Sequence, residues 1–182
     1  MKIGIVVGSI REGRNGLAVG EWVAEQASQR DGFEYEIVDL KSFDVPLLTS
    51  ATVPGAANKK YDSEAVTKWS QAIDALDGFI FVTPEYNHSI PGAFKNAFDS
   101  LGSEWQGKPV AFVSYGADSG VRAVEHWRAA IANFSMHDVR AQVPFSLFTD
   151  FSAQGFQPAD RHLDAIKAVF DQLEAATTKA RG

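Results

Sequence analysis

Cysteine is absent from this chain. Disulfides, thiolate metal sites, redox thiols and cysteine nucleophiles are therefore excluded, and with them the small α/β phosphatases that attack through a thiolate. Basic residues are also scarce: 17 Lys and Arg face 23 Asp and Glu, a net charge of −6. A surface of that sign does not attract nucleic acid or anionic membranes in general, although a local cation can still hold one phosphate. No apolar run approaches the ~20 residues of a membrane span. No G-x-S-x-G elbow offers a serine nucleophile. The histidines, His88, His126, His137 and His162, lack metal-ligand spacing with nearby carboxylates; His126 and His162 fall in helical patterns and read as surface or satisfied residues. The chain begins Met1-Lys2-Ile3, directly in a strand pattern and without a charged-then-apolar leader. A cytoplasmic location is the resulting expectation, and Asn87-His88-Ser89 and Asn133-Phe134-Ser135 are then glycosylation motifs only by accident. Repeats, low-complexity tracts and linkers are missing as well, so residues 1–182 are expected to form one domain with one sizeable core.

What the chain does contain is an alternation of strand and helix patterns from end to end, which points to a parallel α/β sheet. Strands are expected near 2–8, 33–39, 78–83, 109–115 and 138–145, and helices near 15–30, 63–76, 91–102, 120–135 and 159–178. Apolar faces recur at three-and-four spacing: Val19, Trp22, Val23 and Ala27; Val66, Trp69, Ile73 and Leu76; Val124, Trp127, Ile131 and Phe134; Leu163, Ile166, Phe170 and Leu173. These read as core. Ile3 to Val7, Phe79 to Val82 and Val110 to Val113 are nearly continuous apolar runs, as in strands covered on both faces. Phe33 to Ile37 and Val139 to Val143 alternate instead, and Pro144 cannot donate to a ladder, so both strands belong at edges. The order that follows is 2-1-3-4-5, a flavodoxin-like three-layer sandwich with a five-stranded parallel sheet, whose crevice lies between the loops after strands 1 and 3.

Three loops at the carboxyl ends of strands carry the chemistry. The first, Gly8-Ser9-Ile10-Arg11-Glu12-Gly13-Arg14-Asn15-Gly16, combines glycines, hydroxyl and amide donors, two arginines and a helix N-terminus, which together make an anion site. It departs from the P-loop, because Arg14-Asn15 replaces Lys-Ser/Thr, and from G-x-G-x-x-G. Arg14 is open between a second phosphate charge and a solvated side chain. The second loop, Pro84 to Ser89, is polar except for the ring of Tyr86. Ser89 is expected to cap the next helix, with Pro91 in its first turn and Phe94, Ala97, Phe98 and Leu101 on the buried face. The third runs from Ser114 to Ala123. Two further segments are less specific. Lys41 to Asp62 is a long connection, consistent with a plain mobile loop. Phe145, Phe148, Phe151 and Phe156 either cap a pocket or pack on the sheet, with packing favoured because apolar side chains are most often buried.

The segment PEYNHSIPGAFKNAFD, Pro84 to Asp99, closely resembles the PEYN-x-S-I-P-x-x-x-K-N-A-x-D signature of NADPH-dependent FMN reductases, a flavodoxin-like group that includes quinone, chromate and azo-dye reductases. The first loop resembles that family's GS-x-R-x-x-S/N phosphate loop, and the third its S-x-G-x-x-G-G-x-R-A loop, with Ser119 in place of the first paired glycine. The resemblance covers all three loops and essentially the whole length. It implies that Ser9, Arg11 and Asn15 bind the FMN phosphate and that Gly16 lets the backbone approach. It further implies that Pro84, Glu85, Tyr86 and Asn87 border the flavin ring, that Ser89 and the nearby helix N-terminus stabilise negative charge on it, and that Ser114, Tyr115 and Gly116 contact it. Arg122 is left open between a subunit interface, the flavin edge and the surface, and His88 occupies a position that varies in the family.

The implied activity is NAD(P)H-dependent reduction of FMN, with hydride passing from nicotinamide C4 to flavin N5 and then, by ping-pong turnover, to a quinone, free flavin or other small electron acceptor. The flavin carries the chemistry, so no catalytic acid or base side chain is required. Homodimers or homotetramers, with Lys95, Asn96 and Asp99 at a dimer contact, are usual in the family, as is a proline-bearing segment near residues 46–60 beside the site. NADPH against NADH is not legible, because no ribose-phosphate site is recognisable. A non-enzymatic flavodoxin-like electron carrier is the chief alternative, although such carriers are often more acidic and shield the ring with aromatics. A flavin-binding regulatory module without turnover is a third.

Overall fold

The computed structural model describes residues 1–182. The elements run β1 (Lys2–Val7), α1 (Gly16–Ala27), β2 (Glu34–Asp39), α2 (Glu64–Asp74), β3 (Gly78–Pro84), α3 (Gly92–Asp99), β4 (Pro109–Gly116), α4 (Val121–Ile131), β5 (His137–Ser146), a short hairpin β6 (Phe151–Ser152) and β7 (Gly155–Phe156), and α5 (Arg161–Arg181). The sheet is ordered β2-β1-β3-β4-β5 and every pairing in it is parallel. The expected order, and the edge positions of β2 and β5, are therefore what the chain adopts.

Alternation along the central strands builds two cores. Phe79, Phe81 and Phe112 pack with Trp69, Phe94, Phe98, Trp105 and Trp127 against α2, α3 and α4. Ile80, Val82 and Val113 face the other way, onto Val19, Val23, Ile166 and Phe170 of α1 and α5. Because both faces are covered, every residue of β3 and β4 is buried, which is why their sequences lack the polar half of an alternating pattern. Loops at the carboxyl ends of β1 and β3 are brought together by register, Val7 lying opposite Val82. No helix is long and apolar enough to cross a membrane.

Several expectations are corrected. Helix α3 starts at Gly92 with Pro91 at its N-cap, and Ser89 makes no cap bond; its hydroxyl pairs instead with His126 Nδ1 at 2.8 Å. Pro91 at φ −58° and ψ 129° is still extended, so the first helical residue is Gly92, three after the serine. Leu163 on α5 is 45% exposed, whereas His162, one position earlier, is buried. The His162 side chain is satisfied by Asp150, so a polar bond outweighs apolar periodicity there. Phe145 and Phe156 pack edge-on against each other and Trp22, with Phe151 tilted against Phe156, as favoured, while Phe148 stands 79% exposed. The long connection 41–62 is not featureless: 3₁₀ turns form at Leu40–Phe43 and Pro54–Ala56.

Candidate active site

The anion loop is held open by its own scaffold. Gly8 donates its N–H to Val82 O at 3.0 Å, after which none of the backbone N–H groups from Ser9 to Asn15 reaches a backbone carbonyl. Asn15 makes no side-chain cap bond, so the N–H groups at the start of α1 are not consumed by it either. Unpaired N–H groups at a helix N-terminus are the donor set an anion needs. Gly8 and Gly16 are there for space: a Cβ on Gly8 would lie 1.8 Å from Phe94 Cδ1, and one on Gly16 would lie 2.7 Å from the Tyr115 hydroxyl.

Charge in the loop is sorted by pairing. Arg14 is spent on the scaffold, with Nη1 donating to Asp39 Oδ1 and to the Ser9 carbonyl, each at 2.6 Å, and Nη2 to Asp39 Oδ2 at 2.5 Å. That geometry answers the question left open for Arg14: it ties the loop to β2. Glu12 is neutralised by Lys41 at 2.7 Å. Arg11 lies in no such pair and holds its guanidinium over the Tyr86 ring at 5.6 Å, so it is the cation left to meet a ligand.

The Pro84–Ser89 loop is a two-residue hairpin. Tyr86 and Ser89 exchange backbone bonds at 3.0 and 3.1 Å, and Asn87 and His88 take φ of 47° and 73°. Both left-handed positions fall on residue types that tolerate them better than most. At the tip the N–H groups of Asn87 and His88 reach no backbone carbonyl. The base is fixed by Glu85, whose buried carboxylate accepts from the Arg122 backbone N–H at 3.1 Å and from Arg122 Nε at 2.6 Å; Arg122 also pairs with Asp118 at 2.6 Å. Arg122 is thus a brace between the second and third loops. In the third loop Ser119 adopts φ 59° and Gly120 φ 74°, so the serine accepts the left-handed conformation that a glycine would take more easily.

These loops enclose an open cavity of about 160 Å³. Of the residues singled out in the sequence, Ser9, Arg11, Arg14, Asn15, Pro84, Glu85, Tyr86, Tyr115 and Gly116 line it, Arg14 with its guanidinium already engaged by Asp39 and the Ser9 carbonyl. Gly16 lies behind Tyr115, Asn87 and Ser89 sit on the exposed hairpin, and Ser114 is buried with its hydroxyl donating to the Ser119 carbonyl. Tyr86 links two loops through its hydroxyl, 2.6 Å from Ser9 Oγ. Burial first, then the neighbouring Tyr86, raises Tyr115 above the ordinary phenol range, so it stays a neutral donor. Leu147, on the turn after β5, also lines the cavity and carried no sequence signal. A larger hollow of about 220 Å³ lies under residues 46–63. It reaches a helix start too, but that one is capped by Ser63, which accepts from Val66 N–H.

The match to the NADPH-dependent FMN reductase model covers residues 1–150. The chain belongs to this family. An NAD(P)H-dependent FMN reductase of Schizosaccharomyces pombe is 32% identical over 176 residues, 94% of this chain and 88% of that one. A 2-hydroxy-1,4-benzoquinone reductase of a Burkholderia species is 34% identical over 142 residues, covering 72% of this chain and 70% of the relative. Among solved structures, a flavoenzyme NAD(P)H:acceptor oxidoreductase of Paracoccus denitrificans superposes with a TM-score of 0.75 at 21% identity, over 96% of this chain and 98% of that one. At that identity the superposition supports the flavodoxin-like fold. Membership makes this chain an NAD(P)H-dependent flavin oxidoreductase with FMN as its flavin. The donor set fits that group: unpaired loop amides and one free guanidinium suit a phosphate, and the unpaired N–H groups of the hairpin suit the polar edge of a flavin.

Proposed function

We propose that the cavity between the loops after β1, β3 and β4 holds FMN and that the enzyme passes electrons from NAD(P)H to small acceptors of the quinone type. The observation that carries this is the free Arg11 guanidinium beside the unpaired N–H groups of residues 9–15. Bound FMN supplies the redox step, taking hydride from the nicotinamide and delivering two electrons to the acceptor.

The chain's own residues bind and orient. Arg11, Asn15 and the α1 N-terminus take the phosphate. Ser9 joins them, its hydroxyl standing 2.6 Å from the Tyr86 hydroxyl and able to donate to an anion when Tyr86 donates to it. Tyr115 and Gly116 wall the ring, and the N–H groups of Asn87 and His88 donate to its polar edge, where they stabilise negative charge as it develops. Glu85 and Arg122 hold the hairpin in place. The exposed rim leaves room for nicotinamide and acceptor in turn. The 2-hydroxy-1,4-benzoquinone reductase among the relatives supports a quinone acceptor.

The assembly is read as a homodimer or homotetramer built on α3 and the 46–60 segment, where Leu47 and Val53 are 79% and 70% exposed. The cytoplasm is read as its compartment. An absorption spectrum before and after anaerobic NADPH tests the function. A bound flavin band that bleaches, followed by steady NADPH oxidation with a benzoquinone, is expected. A flavoprotein reducible only through a partner reductase would mean an electron carrier, and a chain that neither binds FMN nor turns over with it would refute the site.

A further inference from the structure

The turn after β5 is built with more care than a connection requires. Its centre is Asp150, whose carboxylate is 1% exposed. Oδ2 accepts from the Ser146 N–H at 2.9 Å and the Thr149 hydroxyl at 3.1 Å; Oδ1 pairs with His162 Nε2 at 2.9 Å and accepts from Arg161 at 3.1 Å. The Asp150 backbone closes the same turn, its N–H donating to Ser146 O at 2.9 Å and its carbonyl accepting from Gln157 at 2.8 Å. Burial by itself would raise the Asp150 carboxyl; the Ser146 N–H, His162 and Thr149 outweigh it and hold the group below the usual carboxylate range. His162 is seated in turn against the Phe145 ring, centroid to centroid 4.5 Å. What this network fixes is the segment 146–149. Leu147 donates its N–H to Gly116 O at 3.0 Å and lines the cavity opposite the phosphate loop. Arg161 and His162 both lie beyond the part of the chain that the family model matches.

We propose that the Ser146–Asp150 turn is a fourth wall of the flavin cavity, with Leu147 as its contact residue and Asp150 and His162 as positioning residues that hold it through α5. This rests on the FMN reading given above. A helix beyond the matched residues 1–150 thereby sets how tightly the cofactor is kept. Leu147 touches the ligand; His162 acts only through the turn.

The test is FMN titration followed by flavin fluorescence on the full chain, with thermal unfolding of each variant alongside. Leu147→Ala is expected to weaken FMN about five- to tenfold, the scale of losing most of one apolar contact. His162→Leu should weaken it to a similar extent, and His162→Gln, whose amide N–H can still donate to Asp150, should restore most of the affinity. The Leu147→Ala/His162→Leu double variant should be no weaker than the worse single one, since one wall cannot be lost twice. A merely structural role for His162 predicts multiplied losses instead. Leu147→Ala within twofold of wild type, or losses that multiply, overturns the inference while the function stands. A wild-type chain that does not bind FMN overturns both. Should the His162→Leu chain fail to fold, Leu147→Ala and His162→Gln decide: unchanged affinity in the first, or a large loss in the second, refutes the proposal.

Discussion

The two arginines of the first loop make a sharp prediction, because geometry gives them opposite duties. Arg14 has a side chain only 10% exposed and a two-pronged contact to Asp39, itself 24% exposed. Removing the guanidinium by Arg14→Met leaves a mostly buried carboxylate without its partner and the Ser9 carbonyl without a donor. Surface pairs are worth under ~1 kcal/mol and breaking fully buried ones costs ~3–5 kcal/mol, so about 2 kcal/mol is the scale for this half-buried pair. For a chain of this size that is a fall in Tm of roughly 4–8 °C. Adding Asp39→Asn should recover part of the loss, since the orphaned charge is then gone. Arg11 has no such partner. Arg11→Gln should leave Tm unchanged in the absence of ligand and raise the FMN Kd by roughly 10- to 100-fold, the worth of one charge-assisted hydrogen bond. It should also flatten the salt dependence of binding.

The assay is unfolding without flavin, and FMN titration at low and high salt, for wild type and both variants. Arg14→Met with an unchanged Tm and an Arg11-like loss of FMN affinity would refute the assignment and return Arg14 to the phosphate.

Two stability predictions concern charged groups away from the cavity. Glu104 is fully buried and forms no salt bridge; it accepts from Tyr61 at 2.7 Å, Ser70 at 2.6 Å and the Gly102 N–H at 3.0 Å. Glu104→Ala strands three donors and should cost about 3 kcal/mol in a denaturant titration, with Glu104→Gln costing about half as much; equal costs would deny the carboxylate its role. Tyr61, raised first by its own burial and next by Glu104, should then ionise at lower pH in Glu104→Gln, read by phenolate absorbance. Lys108 caps the last carbonyls of α2, Ile73 O and Asp74 O, at 3.1 Å each, and burial lowers it to about 8. Its unfolded value is ~10.4, so between about 8 and 10.4 the unfolded chain binds the extra proton and this residue's contribution to stability rises with pH. The stability of wild type relative to Lys108→Met should therefore increase from about pH 7 to about pH 10, and a flat difference would show that the amine is not perturbed.

Sheet order was legible because burial on two faces leaves a mark in composition. Phe79 to Val82 cannot be mistaken for an edge strand, and Phe33-Glu34-Tyr35-Glu36 cannot be a central one. The cavity-lining set around Ser9, Arg11 and Tyr86 was legible from motif and spacing. What could not be read was pairing at a distance. Arg14 with Asp39, Glu85 with Arg122, and Asp150 with His162 each join loops or elements far apart in sequence, and single residues carry no trace of such partners. His162 shows the limit on a helix. The apolar period selects Leu163, yet a hydrogen bond to a buried carboxylate places His162 inside at the first turn, while Ile166, Phe170 and Leu173 are buried as the period selects. Ser89 fails for a related reason, because a two-residue hairpin closes at that serine before the helix can begin.

The pairings that sequence hides explain how so polar a loop is anchored to the sheet. The β1–α1 loop is tied to β2 through Arg14, to β3 through the Gly8 N–H, to the loop after β3 through the Tyr86 hydroxyl, and is packed against Tyr115 of β4. None of those ties uses the N–H groups from Ser9 to Asn15 or the Arg11 guanidinium. The scaffold therefore bears the ordering cost and leaves the anion's donors unspent, which is the condition for binding a small charged group without a large entropic penalty. Replacing Arg14 then damages the fold, while replacing Arg11 costs the ligand alone.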